Sequence, residues 1–223
     1  MIAYADAAKS PCIVLLGPPA SGKGTQGRRL AASLGLGYLS TGALLREQVE
    51  LGTVLGKQAE VILARGEYLP DNLMCPILAD WLANQCGGWV LDGFPRSLPQ
   101  ARFLDDWLTQ RGMKIAVAVS LEVPLTQLMA RIRQRVECPA CRWSGQQQQL
   151  MADRRCPACK NLAGPRGDDD EQNFRSRYAA FSSFTQAVIE HYRHLGCLYS
   201  CDATAAQDQV AAQLLQFFPA CSV

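Results

Sequence analysis

The sequence has almost no excess charge, few histidines and no long apolar run. Its twenty-two lysine and arginine residues nearly balance twenty aspartate and glutamate residues, and it contains two histidines. A net charge of +2 gives no electrostatic reason to expect a nucleic acid or a membrane surface as a partner. The apolar run at residues 12–16 is far too short to cross a bilayer.

The amino terminus also lacks the pattern of a secretory signal peptide. Residues 1–10 contain Asp6 and no apolar stretch of the required length. We therefore expect a cytoplasmic protein. At 223 residues the chain is long enough to bury a substantial core, and one domain with insertions is the natural expectation.

Short apolar runs alternate with helical periodicity along most of the chain. The strand-like runs lie at residues 12–16, 38–39, 89–91, 115–121 and 197–201. Apolar residues at helical spacing fill the intervals between them, and another such stretch covers residues 174–192. This alternation predicts an α/β fold with a five-stranded parallel sheet and helices on both faces.

Two stretches break the alternation and predict inserted subdomains. Residues 41–70 have helical periodicity without a strand-like run, and residues 136–170 contain four cysteines, a glutamine run and several glycines and prolines. Irregular loops of this length are uncommon in compact domains and are usually functional. We expect a core made of residues 1–40, 71–135 and 171–223, with inserts at 41–70 and 136–170.

The most informative segment is 17–26, which reads Gly-Pro-Pro-Ala-Ser-Gly-Lys-Gly-Thr-Gln directly after the first apolar run. It fits a phosphate-binding loop, because a strand precedes it and a helical pattern follows. Backbone N–H groups and the helix N-terminus would bind the phosphates of a nucleoside triphosphate, Lys23 would reach the outer phosphates, and the Thr25 hydroxyl would lie near Mg²⁺. The candidate triphosphate-binding residues here are Gly17, Pro18, Ala20, Ser21, Gly22, Lys23, Gly24 and Thr25.

Two Cys-Pro-Ala-Cys segments in the second insert predict a metal site. Cys138 and Cys141 form one pair, Cys156 and Cys159 the other, and fourteen residues separate them. Four thiolates at this spacing can surround one tetrahedral ion, with zinc the first candidate and iron the second. The alternatives are four unligated thiols, which would be unusual in so polar a segment, and two disulfides, which a reducing compartment disfavours. With four protein ligands the site would be structural.

Four further motifs indicate which reaction the loop serves. Leu39-Ser40-Thr41-Gly42 precedes a helix carrying Arg46, and Leu91-Asp92-Gly93-Phe94-Pro95-Arg96 is followed by Gln100. Arg131 and Arg135 lie one helical turn apart before the cysteines, and Arg166-Gly167-Asp168-Asp169 with Arg177 follows them. In this order, over about residues 13–202, the chain resembles the adenylate kinases.

The resemblance implies a phosphate-loop nucleoside-monophosphate kinase core with an AMP-binding insert at 41–70 and a mobile, zinc-binding lid at 136–170. It implies the reversible reaction of Mg·ATP with AMP to give two ADP, in a monomer with ATP, AMP and ADP as its partners and neither nucleic acid nor membrane. Phosphoryl transfer requires alignment, charge neutralisation and exclusion of water, which suits a set of cationic side chains.

The resemblance also assigns roles to individual residues. The implied catalytic residues are Lys23, Asp92, Arg96, Arg135, Arg166 and Arg177, with Asp92 holding Mg²⁺ through its water shell. Arg131 and Arg135 join the loop residues on the ATP side, where Arg131 would lie against the donor adenine. The implied AMP-binding residues are Thr41, Gly42, Arg46, Glu67, Leu69, Gly93, Arg96, Gln100, Arg166 and Arg177.

Several positions depart from the family pattern. Ala43 stands where the family commonly has an acid, Pro19 and Ala20 replace the glycine-rich form of the loop, and the frequent lysine near Asp202 is absent. Two alternatives stay open: a kinase of UMP or CMP, and a nucleotide switch carrying a zinc-ribbon binding module. Thr41 and Gln100 match the adenine-selecting pattern, and the long lid is not typical of the UMP/CMP kinases.

Overall fold

A five-stranded parallel sheet forms the centre of the molecule. The structure, a computed structural model, describes residues 10–65, 67–167 and 169–218. Its strands in chain order are β1 (Cys12–Leu16), β2 (Gly37–Ser40), β3 (Trp89–Asp92), β4 (Val117–Glu122), β5 (Arg135–Glu137), β6 (Ser144–Gln146), β7 (Gly164–Pro165) and β8 (Leu198–Asp202). The central sheet has the order β2-β3-β1-β4-β8, and all its neighbouring pairs are parallel.

Helices cover both faces of this sheet. They are α1 (Lys23–Leu34), α2 (Thr41–Glu50), α3 (Val54–Ala64), α4 (Asp71–Ala83), α5 (Leu98–Thr109), α6 (Leu125–Gln134), α7 (Glu171–Ala180), α8 (Gln186–His194) and α9 (Gln207–Phe217). No helix in the described part of the chain is long and apolar enough to cross a membrane.

The middle strand β1 shows why both faces must be covered. Every residue of it is buried, and successive side chains point to opposite faces. Val14 and Leu16 pack into a cluster with α4, α5 and α8, whereas Ile13 and Leu15 pack into a second cluster with α1 and α9. The strand is therefore anchored from both sides, which fixes the position of the loop that follows it.

The segment after β2 is a helical hairpin of α2 and α3. Ser40 and Thr53 cap the two helices, each accepting a hydrogen bond from a backbone N–H in the first turn. The helices approach closely at Gly56, where a Cβ atom would lie 1.9 Å from the carbonyl oxygen of Gln48. Only glycine permits this crossing without moving the backbone.

The segment between α6 and α7 is a small antiparallel sheet of order β6-β5-β7. The backbone N–H of Arg142 donates to the carbonyl of Cys138 (2.8 Å), and that of Lys160 donates to the carbonyl of Cys156 (2.9 Å). Arg142 and Lys160 have φ angles of 59° and 64°. The repeated Cys-Pro-Ala-Cys sequence thus folds into two similar turns.

The predicted fold class is confirmed, with differences at element ends. All five predicted strands exist, but β4 begins at Val117 rather than at residue 115, and β8 covers Leu198–Asp202 rather than 197–201. The helical stretch predicted at 174–192 contains a π-helical segment at Phe181–Thr185 between α7 and α8. Of this segment only Thr185 is buried, and its hydroxyl donates to the carbonyl of Arg96 (3.2 Å).

Candidate active site

The loop between β1 and α1 wraps around the ammonium group of Lys23. Its Nζ donates to the carbonyl oxygens of Gly17 (2.7 Å) and Pro18 (2.8 Å). Gly17 has a φ angle of 140°, and a Cβ atom there would lie 2.8 Å from the carbonyl oxygen of Leu121. The loop therefore needs glycine at its first position to pass close to β4.

Burial changes the acidity of Lys23. Removal from water lowers the pKa of this ammonium to about 8, although the nearby Asp92 opposes the shift. Arg96 and Arg135 add to the lowering through charge repulsion. The lysine therefore stays mostly protonated at neutral pH and loses its proton near pH 8, and an incoming anion would favour its charged form.

A cavity of about 650 Å³ opens in front of this loop. It lies at the carboxyl ends of the parallel strands, where open α/β sheets bind ligands. Most of the predicted site residues line it: Gly17, Ala20, Ser21, Gly22, Lys23, Gly24, Thr25, Gly42, Arg46, Asp92, Gly93, Arg96, Arg131, Arg135, Arg166 and Arg177. The fold thus gathers cationic groups from distant parts of the chain around one space.

Asp92, the last residue of β3, faces this space beside the loop. It is 8% exposed, and the Tyr38 hydroxyl lies 3.3 Å from its Oδ2. Asp92 pairs in register with Leu15 of β1, two residues before Gly17. The parallel register therefore puts the carboxylate next to the phosphate loop.

Arg96 lies on the side of the cavity towards α2. Its Nε donates to the carbonyl of Gly93 (2.7 Å), and its guanidinium stacks on the ring of Tyr68 at 4.2 Å. Arg46 projects from α2 into the same cavity. These contacts hold Arg96 in one orientation, and a planar guanidinium so held suits bidentate phosphate binding.

Asp169 gathers three arginines on the opposite side. Arg135 forms a bidentate ion pair with it, and Arg166 and Arg177 lie 3.8 and 3.9 Å from its Oδ1. The Asp169 side chain is 4% exposed. This arrangement holds residues from both ends of the 136–170 segment near α7. Asp168, the neighbouring acid of the motif, lies outside the described residues.

Arg131 lies between the phosphate loop and the turn after β8. Its guanidinium donates to the carbonyls of Ser21 (3.3 Å) and Ala203 (2.7 Å). Gln127 donates to the carbonyl of the next residue, Thr204, at 3.0 Å. This wall of the cavity is therefore built from backbone carbonyls and the polar face of α6.

Five predicted binding residues are absent from the cavity lining: Pro18, Thr41, Glu67, Leu69 and Gln100. Thr41 is buried, and its hydroxyl donates to the carbonyl of Gly93 (3.0 Å). Gln100 is buried too, with its amide donating to Asp71 and its carbonyl accepting from the N–H of Arg96. Leu69 belongs to the apolar core, and Glu67 is exposed.

The structure adds residues that the motifs do not contain. Tyr38, Tyr68, Arg142 and Glu137 contact the predicted site residues or line the cavity. Arg142 joins the 136–170 segment to α2 through Glu50, at 2.5 and 3.0 Å. No sequence signal marks these residues, because each reaches the site through a tertiary contact over a long sequence separation.

The four cysteines of the second insert form one cluster. Their sulfur atoms all lie within 4.8 Å of one another, with the closest pairs at 3.5 and 3.6 Å. A disulfide requires about 2.05 Å, whereas a tetrahedral tetrathiolate zinc site needs sulfurs about 3.8 Å apart. Hydrogen bonds from the backbone and side chain of Asn161 and from neighbouring thiols lower the pKa of Cys159 to about 6, whereas burial raises the pKa of Cys141 to about 12. The sulfur geometry, rather than the acidity of the thiols, is therefore what supports a metal. The residues present therefore fit a zinc ion.

Comparison with known proteins gives a consistent result. The sequence model of the adenylate kinase family matches residues 15–197. An adenylate kinase of Archaeoglobus fulgidus is 37% identical over 199 residues, which cover 86% of this chain and 90% of that protein. An adenylate kinase of Thermodesulfovibrio yellowstonii is 36% identical over 205 residues, 89% and 94% of the two chains. An adenylate kinase of Thermotoga petrophila is 37% identical over 212 residues, 92% and 95%.

Proposed function

The chain belongs to the adenylate kinase family, and from this premise we propose how its own residues carry out the reaction. That reaction is the reversible transfer of the terminal phosphoryl group of ATP to AMP, which gives two ADP. The single observation that carries the assignment of roles is the convergence of Lys23, Arg46, Arg96, Arg135, Arg166 and Arg177 on one cavity.

On the donor side, Lys23 and the backbone N–H groups of the non-proline residues of segment 17–25 hold the phosphates of ATP. The helix N-terminus of α1 adds positive potential, and Lys23 neutralises charge on the outer phosphates. Arg131 lies against the donor base, whose other neighbours are the backbone groups after β8. The resting hydrogen bonds of Lys23 to Gly17 and Pro18 support this, because they hold the ammonium over the loop.

On the acceptor side, Arg46 and Arg96 grip the phosphate of AMP. Gly42 and Gly93 leave room for it, and a Cβ atom on Gly42 would lie 3.4 Å from the Arg46 guanidinium. Thr41, Glu67, Leu69 and Gln100 form the surroundings of the acceptor base. Thr41 and Gln100, the two buried polar residues among them, act indirectly. Thr41 donates to the carbonyl of Gly93, and Gln100 accepts from the N–H of Arg96, so both hold the backbone that positions the base and Arg96.

Arg135, Arg166 and Arg177 close over the transferring phosphoryl group. Their common partner Asp169 holds them together near the donor and acceptor sides. Charge on the equatorial oxygens of the transferring group is stabilised by such preorganised cations, and closure excludes water. No general base is needed, because the acceptor is already an anionic phosphate.

Mg²⁺ accompanies ATP in this family, and the residues present fit it. Asp92 is a nearly buried carboxylate at the edge of the phosphate loop, and Thr25 lines the same cavity. Held there, Mg²⁺ would neutralise phosphate charge and so favour phosphoryl transfer. Asp92 would hold the ion through its water shell, and Tyr38, which donates to Asp92, fixes the orientation of that carboxylate.

Zinc at Cys138, Cys141, Cys156 and Cys159 serves the second insert as a structural ion. Residues 41–70 and 136–170 act as the AMP-binding insert and the lid on the core formed by residues 1–40, 71–135 and 171–223. The protein acts as a monomer, since one chain supplies every group named above. Its free cysteines suit the reducing cytoplasm.

A panel of acceptors tests the function. ADP formation is measured with Mg·ATP and AMP, GMP, UMP or CMP in turn, with ATP alone as the control. We expect rapid turnover with AMP and about a hundredfold lower kcat/KM with the pyrimidine nucleotides. Turnover with UMP and none with AMP would replace this function by that of a UMP/CMP kinase. ATP consumption at the same slow rate with and without acceptors would indicate a nucleotide switch.

A further inference from the structure

The cavity is strongly cationic, and its few acids have distinct positions. Among the described residues that line it are ten lysines and arginines and three acids. Asp92 lies beside the phosphate loop, and Asp208 pairs with Arg29 (2.6 Å) near the exposed donor end. The third acid, Glu137, lies at neither place. It is on the lid, near Arg46, Arg142 and Arg166.

Glu137 is held firmly in this position. It is the last residue of the middle lid strand β5 and pairs with Ser144 on one side and Gly164 on the other. Its side chain is 11% exposed. The backbone is therefore fixed on both edges, and the carboxylate has little freedom to turn away into solvent.

The carboxylate faces cations from three parts of the chain. Its oxygens lie 3.6 Å from Arg166, 3.8 Å from Arg46 and 3.9 Å from Arg142. These distances exceed those of a hydrogen-bonded ion pair, so Glu137 attracts the guanidinium groups without locking any one of them. Arg142 has a closer acidic partner in Glu50.

Arg46 is a proposed ligand of the AMP phosphate. Arg166, which closes over the transferring group, also belongs to the AMP-binding residues that the family resemblance implies. A carboxylate and a phosphate seek the same face of a guanidinium, and two anions brought together in a partly buried site repel each other. When the cleft is closed without nucleotide, Glu137 reduces the repulsion among the arginines. When nucleotide is bound, the same charge opposes the phosphate.

We propose that Glu137 is an internal competitor of the acceptor phosphate, which weakens nucleotide binding at Arg46 and Arg166 and so speeds product release. The proposal rests on the acceptor site proposed above. It assigns Glu137 a positioning role rather than a catalytic one, because it acts on the phosphate through the arginines. The consequence is faster turnover with a lower affinity for nucleotide.

The test is AMP binding by calorimetry to protein saturated with a non-hydrolysable ATP analogue. Glu137→Gln keeps the shape of the side chain and removes its charge, and we expect AMP to bind about three- to tenfold more tightly. Because release limits many kinases of this kind, kcat should fall while KM for AMP falls further. Glu137→Ala is a second variant with the same expected direction.

Glu50→Gln is the matched control, since it removes another carboxylate that contacts Arg142. Its AMP affinity should stay within twofold of the parent value, and melting temperature and bound zinc should show that each variant is folded. Unchanged or weaker AMP binding in folded Glu137→Gln would overturn the proposal. Arg46→Gln separates this failure from that of the acceptor site: if its AMP affinity does not fall, the assignment of the site itself is wrong.

Discussion

The core sheet and the lid are stabilised in different ways. In the core, β1 is buried on both faces between two apolar clusters that together involve every strand of the central sheet. In the lid, the buried apolar cluster consists of Cys138, Cys156 and Ala163, and two of these are proposed metal ligands. The core therefore folds through hydrophobic burial, whereas so small a cluster contributes little to the shape of the lid, which is the reason for proposing a structural metal there.

The difference matches what each region has to do. The phosphate loop and Asp92 must keep a fixed geometry, which the buried strands provide: the loop follows β1, and Asp92 is the last residue of β3. The lid is proposed to close over the cleft, and two of its contacts with the rest of the protein are polar: Arg142 with Glu50, and the Ser144 carbonyl with the Thr25 hydroxyl. Polar contacts of this kind contribute little each, which would permit the proposed opening and closing.

A substitution in the phosphate loop of the core should lower activity the most. Lys23→Met removes the cation that the loop surrounds, and kcat/KM for ATP should fall about a thousandfold or more. Thermal melting should change little, since Met keeps most of the apolar stem and removes a charge that is costly to bury. If Lys23→Met kept kcat/KM for ATP within tenfold of the parent value, the proposed role of Lys23 and its loop in phosphoryl transfer would be wrong.

Loss of the metal should have the next largest effect, and it should be confined to the lid. Chelation, or Cys156→Ser, should lower kcat about ten- to a hundredfold and increase hydrogen exchange in residues 136–167. The core strands should keep their protection. If metal-free protein melted and turned over like the metallated form, the contrast between the two regions would be lost.

The pH dependence tests the electrostatics of the core site. Because burial lowers the pKa of Lys23 to about 8, the free enzyme loses this cation as pH rises through that value. Since kcat/KM reports the free enzyme, the value for ATP should fall up to about tenfold per pH unit above pH 8. The sign for stability is opposite: the unfolded lysine stays protonated to higher pH, so its burial destabilises the fold less as pH rises from 8 towards 10.5. In Lys23→Met, neither kcat/KM for ATP nor stability should change in this way with pH. If kcat/KM of that variant still fell above pH 8, the fall would belong to another group.

The smallest expected effect on activity comes from the apolar core. Leu78→Ala leaves a cavity under the sheet at a fully buried side chain, and it should lower the free energy of unfolding by about 2–5 kcal/mol. The rate at 25 °C should stay within about twofold, because the folded population and the cleft geometry persist. Chemical denaturation measures the free energy of unfolding, and initial rates measure the activity. A lid that lost its hydrogen-exchange protection in this variant before the sheet did would contradict the independence of the two regions.

Much of the core could be predicted from the sequence. The strands are runs such as residues 12–16, whose composition alone requires burial on both faces, and the parallel order then brings the loop and Asp92 together. Strand ends were less predictable. β4 begins at Val117 because Val117 pairs with Ile13 of β1, a tertiary contact that the local sequence does not indicate. Neither the sheet of the lid nor the π-helical segment has a periodic signal.

The candidate site divides in the same way. Lys23 could be proposed from the spacing of the phosphate-loop motif, and Arg96 from the resemblance of its motif to the adenylate kinases. Glu137 and Tyr68 could not, since an acid beside a cysteine and an aromatic residue after a glutamate have no distinctive pattern. Their significance comes from approaching Arg46 and Arg96 across long sequence separations.

The most direct test of the whole account is the fate of the terminal phosphoryl group. ATP labelled at its γ-phosphate is incubated with AMP, Mg²⁺ and the enzyme, and the products are separated after a short fraction of one turnover. Transfer within a closed, water-excluding cleft predicts that the label appears in ADP, with negligible labelled inorganic phosphate and no reaction without AMP. Release of the label as inorganic phosphate, at a rate independent of AMP, would contradict the account.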